Sequence, residues 1–329
     1  MIHKDFRPPN FLCSVRDASG YRQCWITHAP SEAAIRERLQ GEGYVVDSVE
    51  PYDFSEWLGE AQREKARAKR TIAEGQRYEF VRTIWSRLKR HLFDLFDGKC
   101  AYCESLVEHI SAGDVEHYRP KARVDDAQGH PGYFWLAYDY RNLLPCCEKC
   151  NRGRGKANHF PVQGRHAWRE EELAKERPLL LNPYVDFPEE HLRFVPPRHD
   201  LCAGEVEGIT PKGCKSIEVY NLRRGALRNR RRDHQTEFLR ELTFYASQGQ
   251  EGRIFAAIES VCSGRREYAA ACMAVLHYWL ETEEAKLHDR RRKAAGKSPA
   301  APNPGAPFVV DDDPSLRDSA GIPNTTLPG

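Results

Sequence analysis

The chain has 329 residues, 40% of them hydrophobic, and a formal net charge of +2. That apolar content can bury a core in more than one domain, which excludes a disordered or fibrous protein, and so small a net charge does not by itself announce a nucleic-acid binder. No apolar run approaches the roughly 20 residues that cross a bilayer. Eleven cysteines without an apolar signal segment point to reduced thiols in a soluble, cytoplasmic protein rather than to a disulfide framework.

Residues 11–16 and 21–27 alternate in polarity and predict two strands joined at 17–20. Ser31 is the expected N-cap of a helix that Gly41 and Gly43 stop, and 44–50 predicts a third strand. Residues 1–54 therefore read as a ββαβ accessory module, with Cys13 and Cys24 as buried thiols. Residues 55–77, dominated by charges such as Arg63, Glu64, Lys65 and Arg67, are expected to form an exposed helical linker. Val81, Trp85, Leu88, Leu92 and Phe96 recur every three or four residues and predict one helix over 78–96.

Cys100/Cys103 and Cys147/Cys150 are two C-x-x-C pairs, the spacing of a four-thiolate structural zinc site. They enclose Glu116, His117 and Asn142 and run directly into Asn151. Between them the sequence predicts an extended stretch over 106–116, a long loop, a return strand at 141–144 and a helix near the second pair. Strand, loop, strand and helix around a metal make a ββα-metal finger, braced from outside by zinc.

Phosphodiester cleavage needs an activated water, charge neutralisation at phosphate and a stabilised leaving oxygen. His117 suits the first task, since an imidazole with a pKa of about 6.5 accepts a proton near neutrality. Glu116 and Asn151 offer oxygen ligands to Mg²⁺ or Mn²⁺. Asp114 lies on the same strand face as Glu116 and is a rival carboxylate; His159 is a rival ligand or a local structural residue. Asn142 suits a hydrogen bond across the loop that holds His117.

Arg119 and Lys121, and Arg152 and Lys156 beyond the second pair, are the expected phosphate contacts. The run Arg223, Arg224, Arg228, Arg230, Arg231 and Arg232 reads equally as a phosphate surface or a solvated helix face. Tyr133, Phe134, Trp135 and Tyr138 read as core, with stacking on unpaired bases as the alternative. Further helices are expected at 214–247 and 254–288, the second interrupted by Gly264, within a mainly helical subdomain over 166–296. The Pro-, Gly- and Asp-rich stretch 297–329 reads as a disordered tail.

The runs C-A-Y-C-E (100–104), D-V-E-H-Y-R-P-K (114–121), G-Y-F-W-L-A-Y-D-Y-R-N-L-L (132–144) and C-E-K-C-N-R-G-R-G-K-A-N-H-F-P (147–161) together resemble an HNH endonuclease. More narrowly they are similar to the nuclease subunit of Septu-type anti-phage defence systems and to nucleases found beside retrons, a likeness that extends over about 78–233. The resemblance implies an α+β protein with a zinc-braced HNH finger over 78–165. It implies His117 as general base, Asn142 as the motif's central asparagine, and Glu116 and Asn151 as ligands of a catalytic Mg²⁺ or Mn²⁺. The four cysteines would hold zinc, DNA would be the substrate, and a nearby ATPase would be the regulatory partner. RNA cleavage, or a zinc module that binds nucleic acid without cutting it, are the competing expectations.

Overall fold

The computed structural model describes residues 6–107, 109–197 and 203–294, so the expected tail at 297–329 lies outside the described residues. One compact unit spans Met1–Glu281; a second, Thr282–Gly329, is described only as far as the end of the last helix. The architecture is α+β, with small antiparallel sheets set among helices.

Strands β1 (Phe11–Arg16), β2 (Arg22–Thr27) and β3 (Val45–Pro51) form a sheet in the order β2-β1-β3, crossed by helix α1 (Glu32–Gly41). The Ser31 hydroxyl caps α1 by accepting from the Ala34 amide. Ile35 and Leu39 of the helix pack on Cys13, Val15 and Val49 of the sheet. Cys24 corrects the expectation of two buried thiols. It pairs with Ser14, so strand alternation turns it to the face opposite Cys13, and it is exposed.

The stretch expected as an exposed helical linker is helical, α2 (Phe54–Ala73), but packed rather than exposed. Phe54, Trp57, Ala61 and Ala68 recur at helical spacing and are all buried, while the charges occupy the other face. The single helix expected over 78–96 is two, α3 (Arg82–Ser86) and α4 (Lys89–Leu95). The Ile84 carbonyl, which a continuous helix would give to Leu88, accepts from the Trp57 indole at 2.8 Å, and the Leu88 amide turns to Trp85. Helix α4 also anchors the N-terminal sheet: Asp94 accepts from Thr27, Arg38 and Arg90.

Strands β4 (Asp114–His117) and β5 (Leu143–Cys146) pair antiparallel, with His117 opposite Leu143 and Asp114 opposite Cys146. Helix α5 (Glu148–Asn151) follows directly. Beyond it lie the pair β6 (Leu192–Phe194) and β7 (Val206–Gly208), then helices α6 (Pro211–Val219), α7 (Gly225–Ser247), α8 (Glu251–Cys262) and α9 (Ala269–Ala294). The helix expected over 214–247 breaks because Asn221 takes a left-handed conformation, φ 51°. Gly264, φ 73°, separates α8 from α9 as the sequence anticipates. Among the described residues no helix is long and apolar enough to cross a membrane.

Candidate metal centre and adjoining site

The thiols of Cys100, Cys103, Cys147 and Cys150 converge, every sulfur within 4.8 Å of the others. A Zn–S bond of about 2.3 Å sets tetrahedral sulfurs about 3.8 Å apart, and Cys103 and Cys147 stand 3.8 Å apart. The donor set therefore fits a structural metal such as zinc. Cys146 is also close, 3.9 Å from Cys100, and bonds the Cys147 carbonyl. Arg224 supplies a feature the sequence did not flag: its guanidinium lies 3.4 Å from the Cys150 sulfur and 4.0 Å from that of Cys147. A four-thiolate zinc centre would carry net negative charge, which that guanidinium is placed to offset.

His117 ends β4 and is buried, its ring edge-on to Trp85 with centroids 5.0 Å apart. Its Nε2 lies 3.0 Å from the Ala137 carbonyl. Only a protonated nitrogen can meet a carbonyl, so Nε2 carries the hydrogen and the lone pair resides on Nδ1. Burial, with the Lys121 charge adding to it, holds this imidazole well below the ordinary histidine range. It is neutral.

Asn142 fastens the same turn. Its side chain accepts from the Arg119 amide at 2.7 Å and donates to the Arg119 and Leu136 carbonyls, while its own carbonyl accepts from the Tyr118 amide. The residues just after His117 are thus locked to the return strand from both sides.

Strand alternation places Asp114 and Glu116 on one face of β4 and the His117 ring on the other. Asn151 donates to Asp114 at 3.0 Å, and Arg152 grips the same carboxylate with two bonds of 2.9 and 2.6 Å. Glu116 is paired differently, accepting from Lys156 at 2.7 Å. Burial pushes the Glu116 carboxyl up, and the Lys156 charge opposes the rise. Of the two carboxylates, Asp114 is the one in contact with Asn151. His159 is exposed and its Nδ1 lies 3.3 Å from Asp126.

The helix expected to complete a ββα finger is a single turn. Arg152 leaves it in extended conformation, and the chain folds back so that the amides of Gly155, Lys156 and Ala157 bond the carbonyls of Arg152, Cys150 and Asn151. Gly155 is required there, since a Cβ would fall 2.5 Å from the Cys150 carbonyl carbon and oxygen.

The basic residues divide. Lys121 lies over the rings of Phe80 and Trp85 beside His117 and makes no ion pair among the described residues. Arg119 pairs with Glu176 at 2.8 Å and covers Phe160, and Arg152 is exposed but holds Asp114. Lys156 corrects the expectation of a phosphate contact, because it is fully buried. The arginine run near α7 is not one surface: Arg231 is buried and donates to the Gly204 and Leu222 carbonyls, Arg223 to Val206, and Arg228 pairs with Glu205. Tyr133, Trp135 and Tyr138 are core residues.

The chain is 38% identical over 183 residues to Septu protein PtuB of Bacillus mycoides (strain KBAB4), 54% of this chain and 60% of that protein. Septu protein PtuA of the same organism is 33% identical over 173 residues, 50% of this chain and 23% of that protein. Septu protein PtuB of Bacillus thuringiensis is 28% identical over 143 residues, 43% of each. The matched stretch thus spans less than two thirds of each of these relatives. No family model and no solved structure matches. Over about half its length, then, the chain that carries the four-thiol centre is similar to Septu proteins.

Proposed function

We propose that the chain is a metal-dependent endonuclease of the HNH type that cuts DNA as part of a Septu-type anti-phage defence system. The observation that carries this reading is the setting of His117: a buried imidazole at the end of β4 whose Nε2–H is committed to the Ala137 carbonyl, so that Nδ1 is the nitrogen that would take a proton. The Septu relatives and the zinc-suited thiols support it.

In this reading His117 removes a proton from the attacking water and Lys121, on the same side, faces the phosphate. Asn142 keeps the imidazole aimed by fixing the backbone at Arg119. Asn151 and the acidic face of β4 would hold Mg²⁺ or Mn²⁺, with Asp114 in contact with Asn151 and Glu116 two residues on. These oxygen donors suit a hard cation, which when bound offsets charge on the departing oxygen. Arg152 already neutralises Asp114, so it must yield that carboxylate to the ion.

The test is nicking of plasmid with Mg²⁺ or Mn²⁺, wild type against His117→Ala, with a duplex RNA in parallel. Loss of general-base catalysis lowers the rate about 10²- to 10⁴-fold; equal nicking by both proteins overturns the assignment. Asp114→Asn against Glu116→Gln identifies the ion's carboxylate, since neutralising it raises the metal concentration needed for half-maximal rate. The pairing of both carboxylates with Arg152 and Lys156 favours a second reading, a zinc module that binds nucleic acid without cutting. Metal-independent DNA affinity and no cleavage of either substrate would select it. The match to a quarter of PtuA as well as to PtuB supports a larger protein assembly as the working partner, and the ATPase expected from the resemblance is the candidate.

A further inference from the structure

Lys156 is among the largest side chains with no exposed surface. Its ammonium has three protons and three acceptors: Glu116 Oε1 at 2.7 Å, the His117 carbonyl at 2.9 Å and the Ala157 carbonyl at 3.5 Å. Every donor points inward, so none remains for a phosphate.

The loop that delivers it belongs to the zinc centre. The Lys156 amide donates to the Cys150 carbonyl at 2.7 Å and the Ala157 amide to Asn151 at 2.6 Å. The Gly155 backbone is pressed against Cys150 closely enough to exclude a side chain. From the second cysteine pair the path to His117 is therefore one residue long. It runs from the Cys150 carbonyl to the Lys156 amide, along that side chain, and onto the His117 carbonyl.

We propose that Lys156 is a positioning residue that transmits the register of the zinc-held knuckle to His117. The opposite edge of the same strand end is set by Asn142 through Arg119, so the imidazole is fixed between a zinc-linked strut and a strand-linked one. The proposal rests on the nuclease reading for its catalytic meaning, but its structural content can be read without catalysis.

The experiment uses full-length, zinc-loaded Lys156→Met. Expected are one zinc per chain by chelator titration, unchanged affinity for a fluorescein-labelled duplex with the same salt slope, and a kcat lower by about 100-fold with KM unchanged. Misplacing a catalytic group by about 1 Å has that scale of effect. Gly155→Ala, which pushes the same loop away, should reproduce the kcat loss. Undiminished kcat in Lys156→Met overturns the proposal, as does a salt slope reduced by about 0.9, the signature of one lost phosphate contact.

Should Lys156→Met fail to fold through its stranded Glu116 carboxylate, Lys156→Met combined with Glu116→Gln removes both charges and still lacks the bond to His117; because Glu116 is itself a candidate ligand of the ion, the double variant is read against Glu116→Gln alone, and equal kcat in the two overturns the proposal. If wild type cuts no nucleic acid, the nuclease reading falls alone, and the strut is judged from the side-chain ¹⁵N spectrum of His117. A single Nε2–H tautomer in wild type that becomes mixed in Lys156→Met sustains it; identical spectra overturn it.

Discussion

Replacing Asn142 by alanine tests the turn at His117 without reference to any activity. The side chain is buried and makes bonds of 2.7, 3.0 and 3.2 Å to the Arg119 amide, the Arg119 carbonyl and the Leu136 carbonyl. Alanine strands the Arg119 amide and carbonyl, while the Leu136 carbonyl keeps the Asp139 amide. A buried polar group left unmet costs about 1–3 kcal/mol, so two of them should cost about 2–6 kcal/mol. Asn142→Asp separates geometry from volume. It keeps an acceptor for the Arg119 amide but sets a carboxylate against two carbonyl oxygens, and should cost at least as much as alanine. Urea unfolding at saturating zinc, followed by tryptophan fluorescence, reads both. A loss below about 1 kcal/mol for Asn142→Ala, or a milder effect for Asn142→Asp, would refute the reasoning.

Arg224→Met should weaken zinc binding about 10- to 100-fold, the usual effect of removing a partner of the ligands, measured by chelator competition at fixed pH; unchanged affinity would show the guanidinium to be incidental. Trp57→Ala should destabilise the protein by about 3–5 kcal/mol, because the ring is fully buried and its indole holds Ile84; a surface-like loss below about 0.5 kcal/mol would restore the linker view of α2. Burial lowers His91 from 6.5 to about 4. The unfolded chain takes up its proton first as pH falls, so the stability present above pH 6.5 drains away toward pH 4, by up to about 3 kcal/mol. His91→Phe should flatten that part of the stability–pH curve, and a mutant curve parallel to wild type would count against it.

What the sequence disclosed was local and periodic. The Ser31 cap, the alternation of the first two strands and the break at Gly264 depend on neighbours in the chain, and each is found where those signals place it. The thiol centre was legible because C-x-x-C spacing reports a knuckle whatever surrounds it. The misread elements are those decided by distant partners. Helix α2 looked like a linker because eight of its twenty residues are charged and two of its four buried anchors are alanines, while the core they join is built by α3 and the 134–143 segment. The 78–96 helix broke because a tryptophan from α2 took one of its carbonyls. Around the site, a basic residue in a charged run looks the same in sequence whether it meets solvent, as Arg154 does, or a buried carboxylate, as Lys156 does. Arg224 stood out in sequence only as one of a run of arginines; nothing local placed it beside the thiols, since 74 residues separate it from the Cys150 sulfur it touches.

The first cysteine turn is also tied to the far end of the chain. Lys99 donates to the Gly264 and Arg266 carbonyls, the Leu106 amide to Glu267, and Ser105 meets Tyr268. During synthesis these acceptors emerge from the ribosome long after both cysteine pairs, so the turn that starts the metal centre waits, unanchored, for more than a hundred later residues. A nascent or truncated chain ending before Gly264 would carry all four thiols of the centre and yet lack the clasp that seats the first two, which makes translation past Tyr268 a condition for a finished centre.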